Sequence, residues 1–290
     1  MTVGMLHIEK MKMLSLTRPY SIPNVIFVAL IAVALGASGL NFNETFLVSI
    51  IFSISFWIAC VFFLDFQHKH DDGREEFLSK ANFIIPSAIV IIVGLANNFY
   101  IILFFLASLA TVKLYSLKSK KIWLSKISFL FRPFTEIGII YSVALIHNYP
   151  LDNQLLFYFS IMVYALTISK NIIADIRDEK YDKHTIAKKI GKTGIYSLSL
   201  LFLLIGIIMS FPKHEVIPLV VTAMLIIFGL NAYALHRTYT LTLSFFYALM
   251  LIQLTNDYFL VIMLLFLSTM LNYTYGITPR KSNIEKPSWA

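Results

Sequence analysis

Long apolar runs separated by short polar segments follow one another along most of the chain. Nine runs approach the ~20 residues that cross a bilayer as an α-helix, and a tenth is shorter. The nine runs cover residues 22–40, 45–64, 82–97, 98–116, 123–147, 153–172, 194–211, 216–235 and 258–276, and the ambiguous tenth covers residues 239–253. Because the runs do not alternate in polarity as barrel strands do, they predict an all-α, polytopic transmembrane helical bundle of nine or ten helices.

The composition leads to the same class of protein. The 290 residues are 58% hydrophobic and 14% charged, with a mean hydropathy of +0.75, whereas a soluble domain is about 25% charged. A soluble enzyme and a disordered chain are therefore excluded. The sequence contains no Pro-, Gly- or Ser-rich linker, so a single transmembrane domain over residues 1–290 is expected. The lone cysteine, Cys60, cannot form an internal disulfide.

The net charge of +8 is concentrated on one set of connections. Lys and Arg precede the first run and follow the second, fourth and sixth runs, whereas residues 41–44, 97–98 and 147–153 carry neither. The positive-inside rule places the N-terminus and the basic connections in the cytoplasm. The lipid bilayer thus explains the basic balance, and nucleic acid is not an expected partner. A basic C-terminal tail favours ten crossings, because nine would leave it outside; the oligomeric state stays open.

Nine of the 16 acidic residues lie in two short segments on the basic side. The first segment holds Asp65, Asp71, Asp72, Glu75 and Glu76, and the second holds Asp175, Asp178, Glu179 and Asp182. Carboxylates interleaved with Lys and Arg suit a Mg²⁺ ion that is bound together with substrate phosphates. The basic side chains can hold the remaining phosphate oxygens. The sequence therefore predicts a magnesium and phosphate site at the cytoplasmic surface.

The spacing within each segment is that of one helix face. Polar ligand-type residues of the second segment are spaced four, three and four apart from Asn171 to Asp182, and Asp65, His68 and Asp72 are spaced three and four apart. The predicted metal ligands are Asp65, Asp72, Asn171, Asp175, Asp178 and Asp182. His68 could be a ligand, a phosphate donor or a loop residue.

Cationic side chains near these segments are candidates for binding the diphosphate of a substrate. They are Arg74, Lys118, Lys121 and Lys183. The ordinary positive charge of cytoplasmic connections accounts for each of them equally well.

Two further candidates for substrate contact lie inside apolar runs. Asn24 carries an amide that needs a partner in a lipid environment. Arg132 lies in the fifth run, where an ionisable residue costs ~2.5–3.5 kcal/mol and usually faces a cavity or a partner. Because Glu136 follows four residues later, the two charges could instead satisfy each other. Pro133 should break the helix locally.

Residues 175–182, with the sequence DIRDEKYD, resemble the second aspartate-rich motif of the UbiA superfamily of intramembrane prenyltransferases. Residues 185–191, TIAKKIG, are similar to the stretch that follows that motif. Arg18-Pro19 and Asn24 at the first run, and Tyr115 to Lys118 after the fourth, are similar as well. The first motif is degenerate, because Leu64 stands in place of Asn and His68 in place of the middle Asp, and only Asp72 keeps its position.

The resemblance implies a bundle around a central cavity open to lipid, with an isoprenyl diphosphate held by Mg²⁺ between the two acidic segments. The implied activity is Mg²⁺-dependent transfer of an isoprenyl group from a prenyl diphosphate to a lipophilic or aromatic acceptor, with release of diphosphate. The implied catalytic residues are Asp72, Asp175, Asp178 and Asp182. Two alternatives remain open. One is a UbiA-like terpene cyclase that acts on a prenyl diphosphate, and the other is a membrane transporter, which intramembrane charges would suit.

The histidine in the first segment gives a prediction of its own. If His68 replaces a carboxylate ligand, His68→Asp should lower the Mg²⁺ concentration needed for half-maximal activity, because Mg²⁺ prefers carboxylate oxygen to imidazole nitrogen. A Mg²⁺ titration of wild type, His68→Asp and His68→Ala at fixed substrate measures this. An unchanged Mg²⁺ requirement in His68→Asp would contradict the missing-ligand hypothesis. Impaired turnover in both variants would indicate a hydrogen bond from His68 to diphosphate.

Overall fold

In the computed structural model, the chain is built from α-helices joined by short connections. The structure describes residues 18–36, 43–67, 80–116, 127–178, 186–210, 216–228 and 231–275. Ten α-helices lie in these ranges: α1 (Ile22–Gly36), α2 (Glu44–Gln67), α3 (Lys80–Asn97), α4 (Tyr100–Ser116), α5 (Phe134–Ile146), α6 (Gln154–Asp178), α7 (Ala187–Met209), α8 (Ile217–Ile227), α9 (Ala232–Thr255) and α10 (Tyr258–Tyr275). Short 3₁₀ turns at Pro19–Ser21 and Ser128–Leu130 precede α1 and α5. No strand occurs among the described residues, so the predicted all-α class is confirmed.

Five helical segments are long and apolar enough to cross a membrane. They are Glu44–Gln67, Ser128–Ile146, Gln154–Ile176, Ala187–Met209 and Ala234–Thr255. Five further apolar helices are shorter, and they correspond to α1, α3, α4, α8 and α10. These helices identify an integral membrane protein, and the number of crossings, nine or ten, stays a prediction.

The region after residue 216 differs from the predicted pattern. The predicted run at 216–235 is divided between α8, which ends at Ile227, and α9, which begins at Ala232. The run at 239–253, predicted to be short and ambiguous, lies inside the 24-residue α9. The sequence between the two helices contains Gly229 and Asn231, both poor helix formers. Their neighbours are apolar, so hydrophobicity alone did not show this break.

The helix ends gather at two opposite ends of the bundle. At one end, Arg18 forms an ion pair with Asp65 in the last turn of α2, with 3.0 Å between Nη2 and Oδ1. At the other end, the Ser49 hydroxyl near the start of α2 is 2.9 Å from Nε2 of His147, which follows α5. Helix α2 is therefore antiparallel to both α1 and α5. The end that holds Arg18 and Asp65 is called the basic end below.

Helix α1 forms the centre of the bundle. Its residues from Pro23 to Ala34 are all buried, as expected for a helix that is apolar on every side. The one polar side chain in this stretch, Asn24, forms hydrogen bonds with residues of α9. Its Nδ2 donates to the carbonyl of Thr240 at 3.3 Å, and its Oδ1 accepts from the hydroxyl of Ser244 at 2.6 Å. Hydrogen bonds of this kind hold helices together where water is absent.

A small residue allows α5 to approach two neighbours closely. A Cβ atom at Gly138 would lie 2.5 Å from Oγ of Ser108 on α4 and 2.9 Å from Cζ of Phe56 on α2. We expect Gly138→Leu to lower the thermal unfolding midpoint in detergent, since overpacking a core costs about 1–3 kcal/mol. As a control, Ala88→Leu introduces the same side chain at an exposed position of α3. Equal midpoints for the two variants would contradict this role of Gly138.

Candidate active site

A cavity lies between α1, α2, α5, α6 and α9 near the basic end. Its part nearest that end, the polar chamber, is lined by Tyr20, Ser21, Trp57, Arg132, Glu136, Lys170, Asn171 and His236. Its deeper part, the apolar chamber, is lined by Ser21, Asn24, Val25, Val28, Trp57, Glu136, Val163, Thr167, Lys170, Leu243 and Tyr247. The chambers adjoin, because Ser21, Trp57, Glu136 and Lys170 line both of them.

Trp57 of α2 lies where these spaces meet. It lines both chambers and also a third pocket between α2, α4 and α5, which contains Cys60 and Tyr115. The side chain is 5% exposed, and its indole N–H has no hydrogen-bond partner among the described residues. Such a ring offers an apolar face for a lipid chain and a π-system for a cation.

Three charged side chains face the polar chamber. Arg132 precedes α5, Glu136 lies in the first turn of α5, and Lys170 is on α6. Glu136 and Lys170 are 7% and 9% exposed. Arg132 and Lys170 both interact electrostatically with Glu136, but no direct ion pair joins them in the part of the chain that the structure describes. Ionisable groups that face an internal cavity of a membrane protein are typical of a functional site.

The local sequence explains the position of Arg132. The 3₁₀ turn Ser128–Leu130 and a turn at residues 131–133 interrupt the predicted fifth run, and Pro133 is the N-cap of α5. Proline is favoured near a helix start because its missing N–H is not needed there. The predicted break at Pro133 is confirmed. The Arg132 guanidinium lies over the ring of Tyr115, 5.5 Å from its centroid, as well as beside the chamber.

The second acidic segment begins as a continuation of α6. This helix extends to Asp178, beyond the predicted run that ends at residue 172. Asn171 and Asp175 lie one turn apart on it, and Asp175 is 5% exposed. Asn171 lines the polar chamber, and its buried Nδ2 atom has no hydrogen-bond partner within the described ranges. Asp178 is the last residue of α6, and Asp182 and Lys183 lie outside the described residues.

The first acidic segment is described only at its start. Asp65 is 1% exposed, and its Oδ1 accepts the hydrogen bond from Arg18. One carboxylate oxygen of this predicted ligand is therefore already used in an ion pair. The remaining predicted residues of the segment, His68, Asp72 and Arg74, lie outside the described residues, as do Lys118 and Lys121.

The two segments start at the same end of the bundle. Asp65 is tied to Arg18 just before α1, and Asn171 shares the polar chamber with Tyr20 and Ser21, which also precede α1. The described residues contain no group of three His, Cys, Asp or Glu side chains able to hold a metal. The two acidic segments are expected to meet around Mg²⁺, with Asp72 close to Asp175. Because Asp72 lies outside the described ranges, this stays a prediction.

The arrangement can be compared with known proteins. No protein-family profile and no curated protein matches the sequence. A solved apo structure of a UbiA homologue from Aeropyrum pernix K1 superposes with a TM-score of 0.51 at 14% identity, covering 89% of this chain and 94% of that one. The chain has the UbiA fold. A digeranylgeranylglyceryl phosphate synthase structure matches at 13% identity and a TM-score of 0.50, covering 92% of this chain and 95% of that one.

Within this UbiA fold, the structure adds residues to the candidate site that sequence reasoning missed. Lys170 is not among the residues that the sequence pattern singles out, but it lies inside α6 and faces the cavity. The signal was present, because an ionisable residue within an apolar run is itself an indication of function. His236 is buried in the first turns of α9. It was missed because the predicted run ended at residue 235.

The predicted contact residue Asn24 does line the apolar chamber of the UbiA fold. Its amide is at the same time bonded to α9 by Thr240 and Ser244. Helix packing therefore meets its need for a partner, and its contact with a substrate stays a prediction.

The ion pair at the basic end can be tested by double substitution. Arg18→Met should be strongly destabilising, because breaking a buried pair costs on the order of 3–5 kcal/mol, and Asp65 is 1% exposed. The double variant Arg18→Met/Asp65→Leu should recover most of the stability, since no carboxylate is left buried. Thermal midpoints in detergent measure both effects. Equal destabilisation of the single and double variants would show that the pair does not hold this end together.

Proposed function

We propose that the chain is an integral-membrane prenyltransferase that moves an isoprenyl group from a prenyl diphosphate to a lipophilic or aromatic acceptor and releases diphosphate. One observation carries this proposal: a polar chamber adjoins an apolar chamber within a UbiA fold. A prenyl diphosphate has the same two parts, an anionic head and an apolar tail. The resemblance of residues 175–191 to a prenyltransferase motif and the synthase named among the structural neighbours support the same activity.

The head of the substrate would occupy the polar chamber. Arg132, Lys170 and His236 line it and offer donors to phosphate oxygens. When the allylic C–O bond breaks, negative charge develops on the leaving diphosphate. Cations that are already in place stabilise that charge without further reorganisation. We place this end in the cytoplasm because the basic connections gather there.

The residues that would hold Mg²⁺ offer hard oxygen donors of the kind this ion prefers. They are Asp65, Asp72, Asn171, Asp175, Asp178 and Asp182. When bound, the ion supplies positive charge that offsets the charge of the diphosphate. The described part of this set fits in donor type, and Asn171 lines the polar chamber with Asp175 one turn further along α6. Asp65 also holds the guanidinium of Arg18, through its Oδ1 atom.

The tail would occupy the apolar chamber. Val25, Val28, Val163 and Leu243 give it apolar walls. The ring of Trp57, at the boundary with the polar chamber, can stabilise the cation by about 0.5–2 kcal/mol.

Incubation of the purified protein with prenyl diphosphates of several lengths and a membrane lipid extract tests the function. We expect Mg²⁺-dependent release of diphosphate and a product whose mass is that of an acceptor plus the isoprenyl group. A hydrocarbon product without an acceptor would instead indicate a cyclase. No release of diphosphate under any condition would contradict an enzyme and favour a transporter.

Substitution in the second acidic segment gives a sharper test. Asp175→Ala should lower the rate of diphosphate release by about 100-fold or more, because it removes a metal ligand whose effect appears as the leaving group departs. Membrane insertion should be unchanged. Asp152→Ala, an exposed carboxylate before α6 at the opposite end of the bundle, is the matched control. Full turnover by Asp175→Ala would show that this segment does not serve the reaction.

A further inference from the structure

Glu136 has a buried carboxylate oxygen to which no described residue forms a hydrogen bond. The residue is 7% exposed, and its Oε2 atom has no hydrogen-bond partner in the described part of the chain. A buried acceptor without a partner is uncommon in proteins and calls for an explanation such as a catalytic role or a bound molecule. In this protein the atom belongs to a residue that lines a cavity, so a molecule that enters the cavity can provide the partner.

The location of Glu136 matches the place where a bond would form. It lines both chambers, as Lys170 does, with Arg132 in the polar chamber and Val163 in the apolar chamber. A substrate with its diphosphate in the polar chamber and its tail in the apolar chamber has its first carbon at this boundary. Among the described residues, Glu136 is the only carboxylate that lines either chamber.

The cations near Glu136 balance its charge, but they do not explain why its Oε2 atom lacks a hydrogen bond. Arg132 and Lys170 supply the positive charge that a buried carboxylate requires, but neither forms a direct ion pair with it among the described residues. Arg18 and Asp65, at the same end of the bundle, do form such a pair. Neither cation therefore supplies the hydrogen bond that Oε2 of Glu136 lacks.

We propose that Glu136 accepts the proton of the acceptor's hydroxyl group during prenyl transfer, and that the acceptor is therefore an alcohol or a phenol. This inference rests on the proposed function. The C1–O bond of the prenyl diphosphate breaks, and its electron pair leaves with diphosphate. The acceptor oxygen forms the new bond to C1 with a lone pair, and its O–H proton passes to Oε2 of Glu136. Water at the polar chamber then removes the proton, which restores the carboxylate.

The experiment measures how the isoprenyl group of one substrate is divided between two products, a prenyl ether formed with the acceptor and a prenyl alcohol formed with water. Wild type, Glu136→Gln and Glu136→Asp are purified in detergent and given farnesyl or geranylgeranyl diphosphate. The acceptors are 4-pentylphenol and 1-O-hexadecylglycerol, which represent the two chemical classes. Diphosphate release is measured together with the ratio of prenyl ether to prenyl alcohol, by mass spectrometry. Glu44→Gln, the same chemical change at an exposed position of α2, is the matched control.

Glu136→Gln should lower diphosphate release much less than it lowers ether formation, because breaking the C1–O bond needs no base. The ratio of ether to alcohol should fall by about 100-fold or more, the usual effect of a positioned base, since water then captures the isoprenyl group. Glu136→Asp retains a carboxylate on a shorter side chain, so its ratio should fall only several-fold. The control should behave as wild type.

Other outcomes overturn the inference. One is an unchanged ratio of ether to alcohol in Glu136→Gln. Another is a loss of diphosphate release in that variant that is as large as its loss of ether formation. The third is a wild-type enzyme that forms only hydrocarbon or prenyl alcohol with both acceptors. If Glu136→Gln does not yield folded protein, Glu136→Asp decides, and an unchanged ratio in it overturns the proposal. Absence of diphosphate release by wild type contradicts the proposed function itself.

Discussion

Hydrocarbon cannot solvate a charge, so an ionised side chain inside a lipid-embedded bundle needs other charges or water near it. This constraint determines where the polar groups of this chain lie. Asp65, Glu136, Lys170 and Asp175 are all buried, and all are near the basic end. Helix α1, which is apolar apart from Asn24 near its start, fills the middle of the bundle. The cavity can therefore be polar only where α1 begins, and it becomes apolar as it deepens along that helix.

Neutral polar groups follow the same constraint, with two different outcomes. Ser169 on α6 and Ser199 on α7 bond each other's hydroxyl and carbonyl groups, so they hold two helices together and leave nothing for a ligand. In the cavity, by contrast, Nε1 of Trp57, Nδ2 of Asn171 and Oε2 of Glu136 have no hydrogen-bond partner within the described ranges. Leaving such an atom unbonded costs about 1–3 kcal/mol. Three of the eight such buried atoms in the described part of the chain belong to residues that line this one cavity.

The sequence predicted what depends on local pattern. The length of the apolar runs gave the helical class, and the proline after Arg132 gave the break before α5. The division between α8 and α9 was missed because two poor helix formers lay within an apolar window. Convergence in space was not predictable in the same way. Trp57, Glu136 and Lys170 lie on three helices, and no spacing along the chain records that their side chains face one cavity.

One helix face shows how the fold could align a two-part substrate. Val163, Thr167, Asn171 and Asp175 follow one another at intervals of four residues on α6, and thus lie along one side of it. The first two line the apolar chamber, and Asn171 lines the polar chamber. Asp175 lies one turn further towards the basic end. At 1.5 Å per residue, the stretch from Val163 to Asp175 spans about 18 Å. A single continuous helix thus carries apolar contacts first, then neutral polar contacts, and then a carboxylate. This is the order in which the tail, the reacting carbon and the diphosphate of a prenyl substrate would follow one another.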